Sequence, residues 1–517
     1  MKTFFQFIFF QKELTYKIIF VCLIFVTITK LTLIGNGFLA FPDEIRYIIS
    51  GKILKEFQTG NLYGALENVF STQARPADTL IKTIPNIIQY LTAKIFGLEY
   101  YETKNSYGPF LFNFAVYIGI LRILYKISKL FLKNETQSLL CVFIFSCLAN
   151  SYIYIRHGLP YDTSLLILLI VFYKTAKLKE EDYSYLRTFS IGFWAFFGYL
   201  AYPGYSILVI IIGLFLFANS LSSKNLKKRI KHLIQYGFGC FLCLAIFEIS
   251  SRIVEKSYLQ ALGDLSKTLN QGSFEESFSF IFKYLYNVEK ATGILLLIGI
   301  LSCFISLIKT AKITKKQPFQ LLFILTILLF VFFTGSGYFF HKTMMSGRVL
   351  HQFLPFLCLF FTFGIYEVFQ KYAFQQILIL GFATIATINF YIQFIDYQKY
   401  AFPRDVAWKL YKEYYPKKFN DVCEIQADSW SVLPITSVEI EKFSKKKSDR
   451  KMKIVNSCNI HPFKKELFIE YKPNEREQLI FSQPSYLNFE PYKFEGYNID
   501  ERENVGSLNL KIKVYLE

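Results

Sequence analysis

The residues of this chain best suited to chemistry are scattered along it and become a site only if the fold gathers them. Asp43 and Glu44 stand side by side just after the first long apolar run, with Tyr47 close behind. Arg75 follows, then Arg156, His157 and Asp162 in a short polar stretch, and late in the chain Tyr338, His341, Lys342 and Arg348. A carboxylate beside an acceptor hydroxyl is a general base, and guanidinium or ammonium groups stabilise an anionic leaving group as its bond breaks. Acids and cations of this kind at a bilayer surface suit the transfer of a sugar from a lipid phosphate. Asp43 is the expected base, with Glu44 and Asp162 beside it, and Arg75, Arg156, Lys342 and Arg348 are the expected phosphate binders. Tyr47, His157, Tyr338 and His341 line the substrate in that reading. One base and one displacement imply inversion at the anomeric carbon. No metal ligand set is expected, because His341 beside a lysine has weak metal character. No cofactor is called for, and a divalent metal stays open.

The elements that would position these residues are membrane spans. The 517 residues are 53% hydrophobic, 19% aromatic and 19% charged, with a mean hydropathy of +0.31, too apolar for a soluble globule. The net charge of +19 falls in short Lys/Arg clusters between apolar runs, the pattern of cytoplasmic loops, so no nucleic-acid partner is inferred. The first apolar run is long and lacks a small-residue cleavage site, which makes it a signal anchor. Lys30 lies within that run and either snorkels to the outer surface, the favoured reading, or turns toward a polar cavity.

Lys2, Lys12 and Lys17 precede the first span, over about 18–38, and place the N-terminus in the cytoplasm. The stretch 79–97 decides the rest. It carries Lys82, Pro85, Asn86, Gln89 and Lys94, too polar for a lipid-exposed span and typical of an amphipathic helix lying at the interface. With that choice the basic clusters around Lys126, Lys177, Lys228 and Lys312 all fall in the cytoplasm, and about eleven spans of roughly 20 residues result. The spans read as largely free of midspan acids. The Arg252–Lys290 loop reads as solvated. After Tyr397 the composition changes to closely spaced charges, prolines and short alternating runs, read as a small β-rich or α+β domain outside the membrane. The organisation is therefore a membrane domain over 1–396 and an extracytoplasmic domain over 397–517, with Lys445-Lys446-Lys447 in a solvated loop. Most of the nine cysteines read as small buried hydrophobes. Cys423 and Cys458, in the polar tail, are the pair an oxidising compartment would allow to join.

Several of these short features resemble the GT-C class of polyprenyl-phosphate-sugar glycosyltransferases, which includes the protein O-mannosyltransferases and the aminoarabinose transferases of lipid A. The likeness covers about 18–355. It rests on Asp43-Glu44 and Tyr47 after the first span, Arg75-Pro76 ahead of a juxtamembrane helix closing on Phe96-Gly97, a second acidic position at Arg156 to Asp162, and Arg348 with Pro355 opening a returning span. The resemblance implies a GT-C-like fold, Asp43 as catalytic carboxylate, Asp162 as its partner, a polyprenyl-phosphate-sugar donor and an extracytoplasmic acceptor that is a lipid, polysaccharide or protein. A transporter or lipid flippase is the alternative reading, and a non-catalytic anchor a further one.

Overall fold

The computed structural model describes residues 12–34, 45–71, 75–96, 107–132, 134–178, 184–219, 226–269, 278–309, 317–340, 347–369 and 374–398, together with short strands between 400 and 514. The helices, in chain order, begin with α1 (Lys12–Thr29), continued by a 3-10 turn over Lys30–Leu33. Four shorter helices follow: α2 (Ile45–Gln58), α3 (Leu62–Val69), α4 (Pro76–Ile81) and α5 (Thr83–Phe96). Then come α6 (Tyr107–Leu132), α7 (Glu135–Ser146), α8 (Asn150–Arg156), α9 (Tyr161–Ala176), α10 (Tyr185–Ala201), α11 (Ser206–Asn219) and α12 (Leu226–Ile253). The last are α13 (Tyr258–Leu269), α14 (Phe280–Asn287), α15 (Lys290–Lys309), α16 (Gln317–Phe340), α17 (Gly347–Leu350), α18 (Leu354–Phe369) and α19 (Gln375–Gln398).

Among the described residues, six segments are long and apolar enough to cross a membrane: Glu13–Leu33, Gly108–Leu132, Leu226–Ile253, Lys290–Ile308, Pro318–Ser336 and Gln375–Gln398. α7 and α8 pass the same test only together, bent by 57° at their break. The sequence pattern predicts one span over 136–154; the chain instead bends at Cys147–Ala149, where Glu289 and Lys30 take backbone groups of the break. These segments are inside-out by the standard of a water-soluble protein. Phe25, Ile28, Phe241, Leu301, Phe332 and Ile392 point outward and are half or more exposed, a surface that only an apolar solvent tolerates in such quantity. The central α9 and α18 have 16 residues each, about 24 Å of helix, and α18 is buried by its neighbours over most of its length.

Close helix crossings are made at glycines. A Cβ at Gly192 of α10 would land on the carbonyl of Tyr236 in α12, and one at Gly239 of α12 on the carbonyl of Phe189 in α10. The α15–α18 crossing is built the same way, with Gly299 against Phe361 and Gly364 against the backbone of Gly299 and Cys303. Small residues let backbones approach where apolar burial alone gives no drive between helices in lipid.

The segment 45–96 folds as a helical cap. Ser50 Oγ donates to the carbonyls of Arg46 and Thr79, Asn86 Nδ2 donates to the carbonyl of Tyr47, and the Tyr47 hydroxyl donates to the carbonyl of Pro85. α5 is not among the six candidate spans. Its polar residues Asn86 and Gln89 are buried against the protein, Gln89 Oε1 accepting from the Gly108 N–H at the start of α6, while Ile84, Ile87, Leu91 and Ile95 face outward. That is the amphipathic division expected of a helix lying along an apolar surface.

Beyond α19 the described residues are strands: β1 (Tyr400–Ala401), β2 (Val422–Ala427), β3 (Phe443–Ser448), β4 (Lys451–Asn456), β5 (Lys465–Tyr471), β6 (Gln478–Leu479) and β7 (Leu508–Val514). Five pair in the order β3-β4-β2-β7-β5, each pair antiparallel. Lys445, Lys446 and Lys447 lie in β3 rather than in a loop. Cys423 lies in β2, and Cys458 lies outside the described residues.

Candidate functional site

The site is assembled where α9 begins, because α9, the α10–α11 turn, α4 and α17 all present an end there. Pro160 precedes α9 and Asp162 occupies its first turn, where a carboxylate is favoured by the helix dipole. The same carboxylate has a second partner from far along the chain. Asp162 Oδ1 lies 2.9 Å from Nε2 of His351, and both side chains are almost wholly buried. The other carboxylate oxygen, Oδ2, and the other ring nitrogen, Nδ1, have no hydrogen-bond partner among the described residues.

Aromatic rings pack around this pair. Tyr154 meets His351 at 4.8 Å and Tyr161 at 4.7 Å, Tyr161 meets Tyr202 at 4.7 Å, and Tyr202 meets Tyr205 at 4.9 Å. Two guanidinium groups touch the same rings. Arg348 Nη1 donates to the Tyr161 hydroxyl at 3.3 Å, and Arg75 stacks over Tyr202 with 4.9 Å from guanidinium carbon to ring centroid. Arg75 is there because it is the N-cap position of α4, and α4 packs on α10 through the Ala77, Leu200 and Ala201 cluster. The four tyrosines are too deeply buried to be floors for a sugar; they are the packed wall that fixes the carboxylate and the cations relative to one another.

Arg156 and His157 stand at the end of α8 and turn toward α19. His157 Nε2 is 3.2 Å from the Tyr397 hydroxyl, Arg156 lies 5.1 Å from the Tyr397 ring centroid, and Asn113 Nδ2 donates to the His157 carbonyl. Both side chains are buried. Tyr47 is committed to the helical cap through Pro85 and Asn86. Tyr338 is half exposed and packs on Phe278 and Phe339; no contact of its own joins it to Asp162. Asp43, Glu44, His341 and Lys342 lie outside the described residues. The structure thus brings Arg75, Asp162 and Arg348 into one connected cluster, and places Arg156 and His157 in a second one at Tyr397. Among the described residues no group of three His, Cys, Asp or Glu side chains is placed to hold a metal ion.

Three residues of this region escape the sequence reading. His351 and Gln352 sit inside the apolar run 349–366, where two adjacent polar residues were a readable anomaly. Gln352 Nε2 donates to the Gly204 carbonyl and its Oε1 accepts from the Leu208 N–H, pinning the Tyr202-Pro203-Gly204-Tyr205 turn to the start of α18. The third is Glu289. It falls at the end of the stretch read as solvated loop, yet it is fully buried, with Oε1 accepting from the Tyr284 hydroxyl at 2.9 Å and Oε2 from the Ala149 N–H at 3.0 Å. Its main-chain carbonyl accepts from Asn389 Nδ2.

Lys30 corrects a second expectation. It does not snorkel: the whole residue is buried, and Nζ donates to the Tyr117 hydroxyl at 2.8 Å, the Ser146 carbonyl at 2.7 Å and Ser151 Oγ at 2.8 Å. The helix around it ends in the protein rather than at a free surface, because the 3-10 turn Lys30–Leu33 packs against α8 and Gln398 of α19 donates to Thr32. With three acceptors arranged for its three N–H groups, the ammonium has no need of bulk water. The spans are accordingly not empty of buried charge.

No protein-family model matches the chain, and no curated protein matches it either. The class is defined by the fold itself: apolar helices long enough to cross a bilayer, several of them in one chain, make this a polytopic α-helical integral membrane protein.

Proposed function

We propose that this protein is a membrane glycosyltransferase that moves a sugar from a polyprenyl-phosphate donor to an extracytoplasmic lipid, polysaccharide or protein. The observation that carries the reading is the Asp162–His351 pair with Arg75 and Arg348 on the rings around it. Residues from four distant parts of the chain meet at one end of the bundle, and they combine a buried carboxylate with two cations. An anionic leaving group held by guanidinium groups beside an acid and base is the arrangement the transfer needs.

In this reading the acceptor hydroxyl attacks the anomeric carbon as the bond from that carbon to the phosphate oxygen breaks. The hydroxyl proton passes to a carboxylate, and the polyprenyl phosphate leaves with its negative charge neutralised by Arg75, Arg348 and Lys342. Asp43 is the base, with Glu44 adjacent, and Asp162 orients the acceptor. A single displacement inverts the anomeric centre. α1, α6, the pair α7–α8, α9, α10, α11, α12, α15, α16, α18 and α19 are the eleven crossings, with the N-terminus cytoplasmic. Residues 397–517 form a domain on the opposite side, above the site. The basic ends of α6 and α12, where Lys126 faces the Tyr173 ring and Lys231 the Tyr185 ring, are then cytoplasmic, as positive-inside counting requires.

A transporter or flippase is the second reading, and one observation favours it. The broken pair α7–α8 with Lys30 and Glu289 buried beside it is a feature that transporters carry around their substrates. The two readings part in cells that lack the protein. A transferase leaves its lipid-linked sugar stranded on the outer face, where a membrane-impermeant reagent labels it, and Asp43→Asn restores protein level but not turnover. A flippase leaves the lipid unlabelled inside. No accumulation of any lipid-linked sugar would remove both.

A further inference from the structure

The break between α7 and α8 frees backbone groups in a place with no water to receive them. Two buried charged side chains from elsewhere take them. At the end of α7 the Ser146 carbonyl accepts from Lys30 Nζ at 2.7 Å and from Ser151 Oγ at 2.8 Å. At the start of α8 the Ala149 N–H, which has lost its helical acceptor, donates to Glu289 Oε2 at 3.0 Å. The signs are matched to the ends. A helix C-terminus is negative and receives an ammonium; a helix N-terminus is positive and receives a carboxylate. Each charge is itself held from behind, Lys30 by Tyr117 and Ser151, and Glu289 by Tyr284.

We infer that Lys30 and Glu289 form a two-sided clamp on this break and are positioning residues for the site, acting through α8. The helix has seven residues and carries Tyr154, which packs on both His351 and Tyr161, while its last residue, Arg156, leads through His157 and Pro160 directly into Asp162. Any tilt of α8 about the break displaces Asp162 relative to His351, because Tyr154 packs both on His351 and on Tyr161, the residue next to Asp162. α1 and the α14–α15 junction, which touch none of the site residues by these contacts, thereby set its geometry. The clamp stands on the backbone geometry and holds whichever reaction the site performs.

The chain contains its own probe. Cys147 lies in the break and is 2% exposed, and Cys141 lies on α7 before it and is fully buried. The experiment compares N-ethylmaleimide labelling of the two thiols, resolved by mass spectrometry, with hydrogen exchange over 157–165, in the full-length protein in detergent. Lys30→Met removes the ammonium at similar length. Glu289→Leu removes the acceptor, whereas Glu289→Gln keeps an oxygen for the Ala149 N–H. Lys30→Met and Glu289→Leu are expected to speed Cys147 labelling about tenfold or more. Exchange over 157–165 is expected to rise with it, with Cys141 and the 206–219 helix unchanged. Glu289→Gln is expected to stay near the wild-type rate. Equal acceleration of Cys141 and Cys147 would mean that the charges support the whole bundle and would overturn the clamp. So would unchanged Cys147 labelling, or faster labelling with no change over 157–165. If Lys30→Met does not accumulate, the contrast between Glu289→Leu and Glu289→Gln decides by itself, and similar labelling in those two overturns the inference. None of these readings involves sugar transfer, so a failure here is separate from a failure of the proposed reaction.

Discussion

In the proposed transfer, Asp162→Asn is expected to lower turnover about 10²-fold, the scale of a misplaced reactant, while the protein folds and reaches the membrane. The asparagine has the same shape and keeps an oxygen for His351, so the wall of Tyr154, Tyr161, Tyr202 and Tyr205 has no cause to move. What is lost is the charge on a carboxylate whose Oδ2 is buried with no hydrogen-bond partner among the described residues. Asp162→Ala should behave differently. It leaves His351 Nε2 buried without its partner, which costs about 1 to 3 kcal/mol of stability, and it should lower the thermal midpoint as well as turnover. His351→Gln should retain folding and lose part of the activity, because the amide reaches Asp162 less well than the ring. Turnover is read as consumption of the lipid-linked donor in membranes of the complemented deletion strain, normalised to protein level. Wild-type turnover in Asp162→Asn would reduce Asp162 to a first-turn acid that only serves α9.

The largest structural effect is expected at the α10–α12 crossing. Gly192 and Gly239 each face the other helix's backbone, and the atoms a new Cβ would meet are carbonyl oxygens and main-chain nitrogen, which cannot rotate away as a side chain does. Gly192→Ala or Gly239→Ala must push the helices apart and is expected to cost about 1 to 3 kcal/mol, with Gly192→Val costing more and reducing accumulation of folded protein. Since both positions serve one crossing, the double alanine variant should cost less than the two single costs combined: the first substitution already opens the gap the second needs. Gly237, on the same helix, has open space where its Cβ would stand, and Gly237→Ala is the matched control, expected to be neutral or slightly stabilising through helix propensity. Thermal midpoints in detergent measure all five. Equal tolerance at 192, 239 and 237 would show that the close approach does not exist in the membrane.

The crossing also bears on the site. Tyr202 and Tyr205 leave the end of α10, so a separation of α10 from α12 should loosen the turn that Gln352 pins. Activity in the alanine variants is therefore expected to fall further than their stability.

The order of apolar runs along the chain was enough to reveal a polytopic membrane protein, and the hydropathy of α1, α6, α12, α15, α16 and α19 marks them individually. The polar residues of 79–97 were enough to take that stretch out of the list of spans, since Lys82, Asn86 and Gln89 recur on one side of a helix and need partners that lipid does not supply. Asp162, Arg75 and Arg348 were legible as chemistry-bearing residues at the ends of helices. Their meeting was not, because it depends on which helix ends are neighbours, and neighbours in a bundle are chosen by glycine contacts such as Gly192 with Tyr236 that no local pattern announces. His351 was hidden for a related reason: its value comes from a partner 189 positions away. Lys30 and Glu289 show the limit most clearly. By sequence alone a lysine near the end of a span snorkels and a glutamate at the end of a polar loop is solvated, because the lowest-energy place for an isolated charge is water. Only the tertiary structure, by breaking a helix between them and leaving a bare carbonyl on one side and a bare N–H on the other, gives each of them partners in the interior.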